Sequence, residues 1–348
     1  MEYKGNYNLF NNSKIKTYPL KQRKSKVSIT DFLDCKKLRN SKINFPSEDI
    51  EKIALSVVKA YKSGNPVIVM AGAHLVKNGL SPIIIDLMER GIITLFATNV
   101  ASAIHGFELA LTGESSENVR DGLKKGEFGM AFETGVYLNQ ALIKGNNMKL
   151  GFGESMGRLF IDSSFRKNVI YSSLKNNKKN RNYHMPYDGF KYVENCIFAQ
   201  ALKLNIPVTV HASMGTDIID QHSNFDGAAK GATSARDFLI FVKEVTKLTK
   251  GGVVLNISSA VMGPEVLLKA VSMAANTGKA PRGIVTGDFD LRPCAADDKH
   301  EGRYHYYFRD QKSVVKRIPE VYSGKGYYVE GDQKITLPSL YQYILKLL

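Results

Sequence analysis

The sequence predicts an α/β protein built on a doubly wound, mostly parallel β-sheet with helices on both faces. Three observations carry that prediction. Short, largely apolar runs recur at residues 67–70, 92–96, 206–210, 253–257 and 283–286. Segments with helical periodicity separate them, and each run stops at small, hydroxylic or acidic residues. Runs that are apolar on both faces suit a sheet covered on both sides, and their alternation with helices makes the strands parallel.

Taken in order, residues 1–47 mix polar, basic and turn-forming residues and read as a basic N-terminal arm, with at most a short helix near 29–38. Residues 48–348 read as a single α/β domain. Ser47, followed by Glu48 and Asp49, caps a helix to about residue 62, because a hydroxyl accepts a free N–H and early acids suit the helix dipole. Strand 67–70, a helix carried by Leu80, Ile83, Ile84 and Leu87, and strand 92–96 make the first βαβ unit. Helices are predicted at about 100–111, ended by Thr112-Gly113, then at 118–125, at 130–143 and at 151–161. A basic polar loop occupies 163–185. A helix at 192–204 and a strand at 206–210 follow, then a Gly/Ala/Ser-rich loop at 225–235 and a helix at 234–248. After strand 253–257, Pro264 opens a helix to about 275, since proline loses nothing in a first turn. Strands at 283–286 and 314–318 and a helix at 337–348 complete the chain.

The chain has 348 residues and a formal net charge of +15. That excess is local. Residues 1–45 hold eleven Lys/Arg against three acids, and residues 163–185 hold six against none. A nearly neutral body argues against a nucleic-acid enzyme, whose basic face sits on regular elements. The two basic segments read as solvated or inter-subunit arms. No apolar run nears the roughly 18–20 residues that span a bilayer. No apolar block opens the chain, and Cys35, Cys196 and Cys294 are too scattered for a disulfide framework, so a cytoplasmic setting is expected.

The strand ends hold the candidate site. They read Gly72-Ala73-His74, Ala97-Thr98-Asn99, His211 to Asp217, Ser258-Ser259-Ala260 and Thr286 to Asp290. Any one is what a tight βα turn requires; five together point to a shared ligand crevice. Asp288, an acid after a late strand, is placed to hold ribose hydroxyls, although no GxGxxG is present. Among His74, His105 and His211, the last is favoured as a base because Asp217 follows closely. Glu108, three residues after His105 on one helical face, is placed to orient it. Cys294, Asp297, Asp298, His300 and His305 have irregular spacing for a zinc site, so no metal is expected. The run Arg303 to Arg309 either stacks a planar ligand or packs on the protein.

The order of these pieces resembles the deoxyhypusine synthase family over roughly residues 48–320. The likeness lies in Gly72 to Gly79, Ala97-Thr98-Asn99, Ile206-Pro207-Val208 running on to Asp217, and Thr286 to Asp290. It implies a Rossmann-like, NAD-binding fold without GxGxxG and a homo-oligomer, a tetramer or dimer. With the strand-end pattern, it leads to expected NAD contacts from Gly72, Ala73, His74, Thr98, Asn99, Ser258, Ser259, Ala260, Thr286, Gly287 and Asp288. The chain departs where that family carries its glycine triplet, here Ser258 to Pro264. It departs again at the tryptophan-glycine-lysine motif, since there is no Trp at all. Without that lysine to hold an aminobutyl group as an imine, authentic deoxyhypusine synthesis is not expected.

The expected function is therefore NAD-dependent hydride removal from a small amine or amino-acid-like substrate. His211 would be the base, and Asp217 or Asp290 would pair with the substrate ammonium. The alternatives are a non-catalytic or RNA-associated protein using the basic arms, and an aminoalkyl transferase using a relocated lysine such as Lys312.

Overall fold

The computed structural model describes residues 3–175, 183–297, 300 and 302–348. Among these residues the strands are, in chain order, β1 Ser25–Ser28, β2 Val67–Ala71, β3 Leu95–Asn99, β4 Glu114–Glu117, β5 Val208–His211, β6 Val253–Ile257, β7 Val285–Asp290 and β8 Lys325–Glu330. Six of them form one sheet in the order β5-β3-β2-β6-β7-β8, every neighbouring pair parallel. The chain therefore starts in the middle, winds outward to β5, then returns to the middle and winds the other way. This is the doubly wound arrangement the sequence predicts, and its direction reverses between β2 and β6.

The register sets the strand ends level. Val210, Thr98, Ala71, Ile257, Phe289 and Val329 lie in one row across the six strands. Alternation along each strand then sends side chains to two covered faces. One face (Val69, Ala71, Phe96, Leu255, Ile257, Phe289) packs in the cluster that includes the helices Glu48–Lys62 and Gln333–Leu347. The other (Ile68, Met70, Leu95, Ala97, Val254) packs on Phe241 and Val245 of the helix Gly227–Val245 and on Leu267, Ala270 and Val271 of the helix Met262–Asn276. Each such fully buried aliphatic or aromatic side chain stabilises the fold by roughly 1.5–3 kcal/mol. The Ser47 cap holds as expected, its side chain accepting from the Ile50 N–H.

Four expectations change. The run at 314–318 is not a strand but part of a buried helical segment, Gln311–Arg317 followed by Ile318–Val321; a short apolar run fits either state until its neighbours decide. The sixth strand is β8, half-exposed through most of its length at the sheet edge. The Gly/Ala-rich stretch at 225–235 is helical from Gly227, because the Asp226 side chain caps it by accepting from the Ala229 N–H at 3.0 Å. Much of the basic loop is also helix, Ser163–Lys175, which buries Phe165, Val169 and Ile170; its residues 176–182 lie outside the described residues.

The arm is no detached tail. Leu20 is buried, Tyr18 bridges to Ala131, and β1 pairs antiparallel with β4. Residues 3–14 are exposed throughout, Tyr7, Leu9 and Phe10 included.

Asp237, buried in the helix Gly227–Val245, ties two elements together. Its Oδ2 accepts from the Val210 N–H at 2.7 Å and the Gly153 N–H at 2.8 Å, joining the end of β5 to the start of the helix Phe152–Ile161. Burial pushes its carboxyl up to about 7, outweighing the lowering effect of those backbone donors. A raised folded-state value gives stability that is full below the ordinary aspartate range and lost as pH rises through about 7. Asp237→Ala should therefore lower the unfolding free energy by about 3 kcal/mol at acidic pH, from two stranded buried N–H groups. The loss should be smaller at pH 8 than at pH 5. Urea titrations at both values check this; an equal or larger loss at pH 8 would contradict it.

Candidate functional site

Level parallel strands bring all their C-terminal turns to one side of the molecule. The turns after β2, β3, β5 and β6 meet in a crevice lined by Ala71, Thr98, Asn99, His211, Ser259 and Gly263, with Met262 and Val266 beside them. Its free volume is about 10 Å³, near that of one water. Through His211 and Val266 it adjoins an open groove of about 450 Å³ between the helices Gly227–Val245 and Met262–Asn276, which Ser234, Phe238, Glu265 and Lys269 also line.

Local chemistry explains the turn. Gly72 is required by close approach: a Cβ there would lie 2.3 Å from the Ser258 carbonyl oxygen. Ser258 itself adopts φ +52°, a left-handed conformation that costs a non-glycine residue on the order of 1 kcal/mol and clusters at functional sites. Asn256 donates from Nδ2 both to the Ser259 carbonyl at 2.9 Å and to Asp288 at 2.7 Å, fixing the turn from below. Asn99 caps the helix Val100–Thr112 by accepting from the Ser102 N–H at 3.1 Å.

The sequence-predicted residues divide accordingly. Thr98, Asn99, His211 and Ser259 come together at the crevice. Gly72 and Ser258 pack against each other behind it. Ala73 is buried, while His74 and Ala260 are exposed at the rim of their turns. Thr286 and Gly287 fall inside β7 and serve the interior: the Thr286 hydroxyl donates to the Val314 carbonyl, and Gly287 packs on Ile53 and Leu255. Asp288 is fully buried, and burial and the nearby Asp310 carboxylate raise its carboxyl well above the usual range, so it carries the Asn256 contact rather than facing solvent. Asp290 is gripped by Arg292, whose Nε and Nη2 donate at 3.0 and 2.7 Å. Asp217 pairs with the buried Lys230 at 2.8 Å, and Lys230 also binds Asp220. Lys312 is buried with its ammonium 3.4 Å from the centre of the Tyr306 ring.

His211 sits at the end of β5 with its ring edge-on to Phe241 at 5.4 Å, and its Nε2 lies 3.1 Å from the Thr209 hydroxyl. Burial lowers it to about 4, so it is a neutral imidazole at physiological pH. Asp298 lies outside the described residues. Among the described residues no group of three or more His, Cys, Asp or Glu side chains is arranged to hold a metal.

A second cavity, of about 230 Å³, opens beside the first turns of the helix Val100–Thr112 and under the loop after β5. It centres on residues the strand-end pattern does not reach. Glu108, 1% exposed, accepts both Nη groups of Arg23 at 2.7 Å, the Ser115 hydroxyl at 2.7 Å and the Thr134 hydroxyl at 2.8 Å. Burial pushes its carboxyl up, but the Arg23 charge and hydrogen bonds overcome that and hold it below the usual range. Arg23 comes from the basic arm, so part of the arm's charge is interior. Glu108 does steer His105, as its helical spacing suggested, through Ser115: His105 Nδ1 lies 2.6 Å from the Ser115 Oγ. A carboxylate only accepts, so Ser115 spends its single proton on Glu108 and must accept from His105. The histidine is thereby fixed as the Nδ1–H tautomer, leaving the Nε2 lone pair bare. Burial lowers its value to about 4.

No family model matches the chain, and no curated protein does. Among solved structures it aligns with apo ArgZ, an arginine dihydrolase from the ornithine–ammonia cycle in cyanobacteria, at 16% identity and TM-score 0.46 over 88% of this chain and 33% of that one. It aligns with a conserved putative LOR/SDH protein of Methanococcus maripaludis S2 at 16% identity and TM-score 0.45, over 88% and 72%. With AgrE in ternary complex with ornithine and NAD+ the values are 12% and 0.47, over 91% and 34%. The chain thus spans about a third of the length of ArgZ and AgrE.

Two expectations follow from the Glu108 network. Long-range proton–nitrogen NMR should find His105 neutral and protonated on Nδ1 down to about pH 5. Ser115→Ala should remove that tautomer preference, and an Nε2–H signal in the unaltered protein would contradict the assignment. Arg23→Met should lower stability by about 3–5 kcal/mol by leaving a buried carboxylate unpaired. Deleting residues 1–16 should change it by less than about 0.5 kcal/mol. Chemical denaturation reads both, and equal effects would contradict the structural split of the arm.

Proposed function

We propose that the chain is a NAD-dependent enzyme that removes hydride from a small amine or amino-acid-like substrate, a divergent relative of the deoxyhypusine synthase family that has lost that family's lysine chemistry. The observation that carries the reading is the strand order. An all-parallel sheet whose direction reverses between β2 and β6 has its ligand crevice at that reversal, and here small and hydroxylic residues from four strand ends line it. Fold order by itself argues a binding site, and the chemistry is our assignment.

The residues present fit a dinucleotide. The turn at 258–263 is fixed by Asn256, and the narrow crevice leads into a groove of about 450 Å³, inside the roughly 300–1,000 Å³ of ordinary ligand sites. Thr98, Asn99, Ser259 and Gly263 would hold the cofactor, with His211 beside it. Met262, a flexible side chain, must swing aside to widen the narrow part. When bound, NAD supplies the hydride acceptor. The chain's own groups hold the rest of the site: His211 offers a neutral imidazole at the crevice wall, and Asp217, its carboxyl raised by burial against the opposing pull of Lys230, lines the neighbouring cavity. Asp290 is committed to Arg292 and is not assigned to substrate.

Isothermal titration with NAD+ and NADH tests the reading. Binding in the micromolar range is expected. Val266→Trp fills the junction of crevice and groove from a half-buried helix position, and should weaken it about a hundredfold with the melting temperature little changed. No heat at millimolar cofactor, or undiminished binding by the tryptophan variant, would contradict it.

A further inference from the structure

We propose that the 230 Å³ cavity over the helix Val100–Thr112 is a receptor for a small zwitterion, an amino acid whose carboxylate meets Lys77 and whose ammonium meets Glu117 and His105 Nε2. This rests on reading the chain as an enzyme of small amines, but not on cofactor binding itself.

The charges lining the cavity sort into spent and unspent. Arg23 and Glu108 neutralise each other, and Asp217 is paired with Lys230. Lys77 and Glu117 also face the cavity, and neither makes an ion pair among the described residues. Glu117 is anchored from one oxygen only, which accepts the Gly129 N–H at 2.9 Å. Burial raises its carboxyl, against the lowering effect of the Gly129 N–H and the nearby Arg23 charge. A lone cation and a lone anion opening on one cavity form the complement of a molecule carrying both charges.

The remaining lining fits the same ligand. An ammonium has three N–H donors and needs acceptors. Glu117 supplies one, and the tautomer imposed by Ser115 leaves the His105 Nε2 lone pair as another. Arg23, also on the lining, keeps its Nε–H buried without a hydrogen-bond partner. Phe128 and Ile218 give the walls an apolar stretch for methylenes. The volume is below that of drug-sized sites, which suits a single small metabolite. The crevice reaches Asn99, the cap of the helix whose first turns line the cavity.

The test is a thermal-shift screen of the full chain against the standard α-amino acids, ornithine and ω-amino acids, followed by calorimetry on any ligand that shifts the melt. Putrescine and succinate serve as controls that carry one kind of charge each, and NAD+ binding is measured in parallel. At least one zwitterion should bind, and both controls should bind about tenfold more weakly or worse. Glu117→Gln and Lys77→Met, at half-buried positions where folding is retained by circular dichroism, should each weaken it about tenfold while NAD+ affinity stays within about twofold. If no zwitterion binds while NAD+ does, the cavity assignment falls and the cofactor reading stands. Binding that survives both substitutions, or controls that bind equally well, overturns the assignment as well. If a folded protein binds neither class of ligand, both readings fall together.

Discussion

A carboxylate taken out of water must find compensating charge, and Glu108 is the place where this chain meets that requirement. Its partner, Arg23, is supplied from 85 residues earlier. For that guanidinium to arrive, the N-terminal segment must lie along the body, which seats Leu20 in the core and lets β1 pair with β4. The β1–β4 pairing in turn puts Ser115 within reach of both Glu108 and His105. One electrostatic demand thus orders the arm, the small sheet, the tautomer of a histidine and one wall of a cavity.

The large sheet imposes a different constraint. Because all six strands are parallel and level, their free ends gather on one side, where the chain must turn six times in little space. Gly72 against the Ser258 carbonyl, the left-handed Ser258 and the Asn256 bridge between Ser259 and Asp288 are consequences of that crowding. Small residues at these turns serve the packing of one turn on the next as well as the opening of a crevice. Gly72 answers the first need, whereas Ser259 and Gly263 line the opening.

Much of the architecture was legible because its signal is local. Solid apolar runs marked five strands of the large sheet, and the Ser47 cap marked a helix start. β8 escaped because an edge strand is half-exposed and lacks the solid apolar run. Thr286 and Gly287 were read as a turn because glycine and aspartate usually end strands, yet here Gly287 is the residue small enough to pass Ile53. The helix at 163–175 was hidden by its charge, although Phe165, Val169 and Ile170 carry a helical spacing. Arg23 could not be paired with Glu108 from sequence at all. Nothing local distinguishes it from its basic neighbours, and only the tertiary fold selects it.

The proposed dinucleotide site lies at the reversal point of the sheet. An X-ray structure of the chain crystallised with saturating NAD+ tests that most directly. Density for the dinucleotide is expected across the turns bearing Thr98, Asn99 and Ser259, with Met262 displaced and His211 at its edge. Density at some other surface, or an unfilled crevice of about 10 Å³ in crystals soaked to saturation, would contradict it.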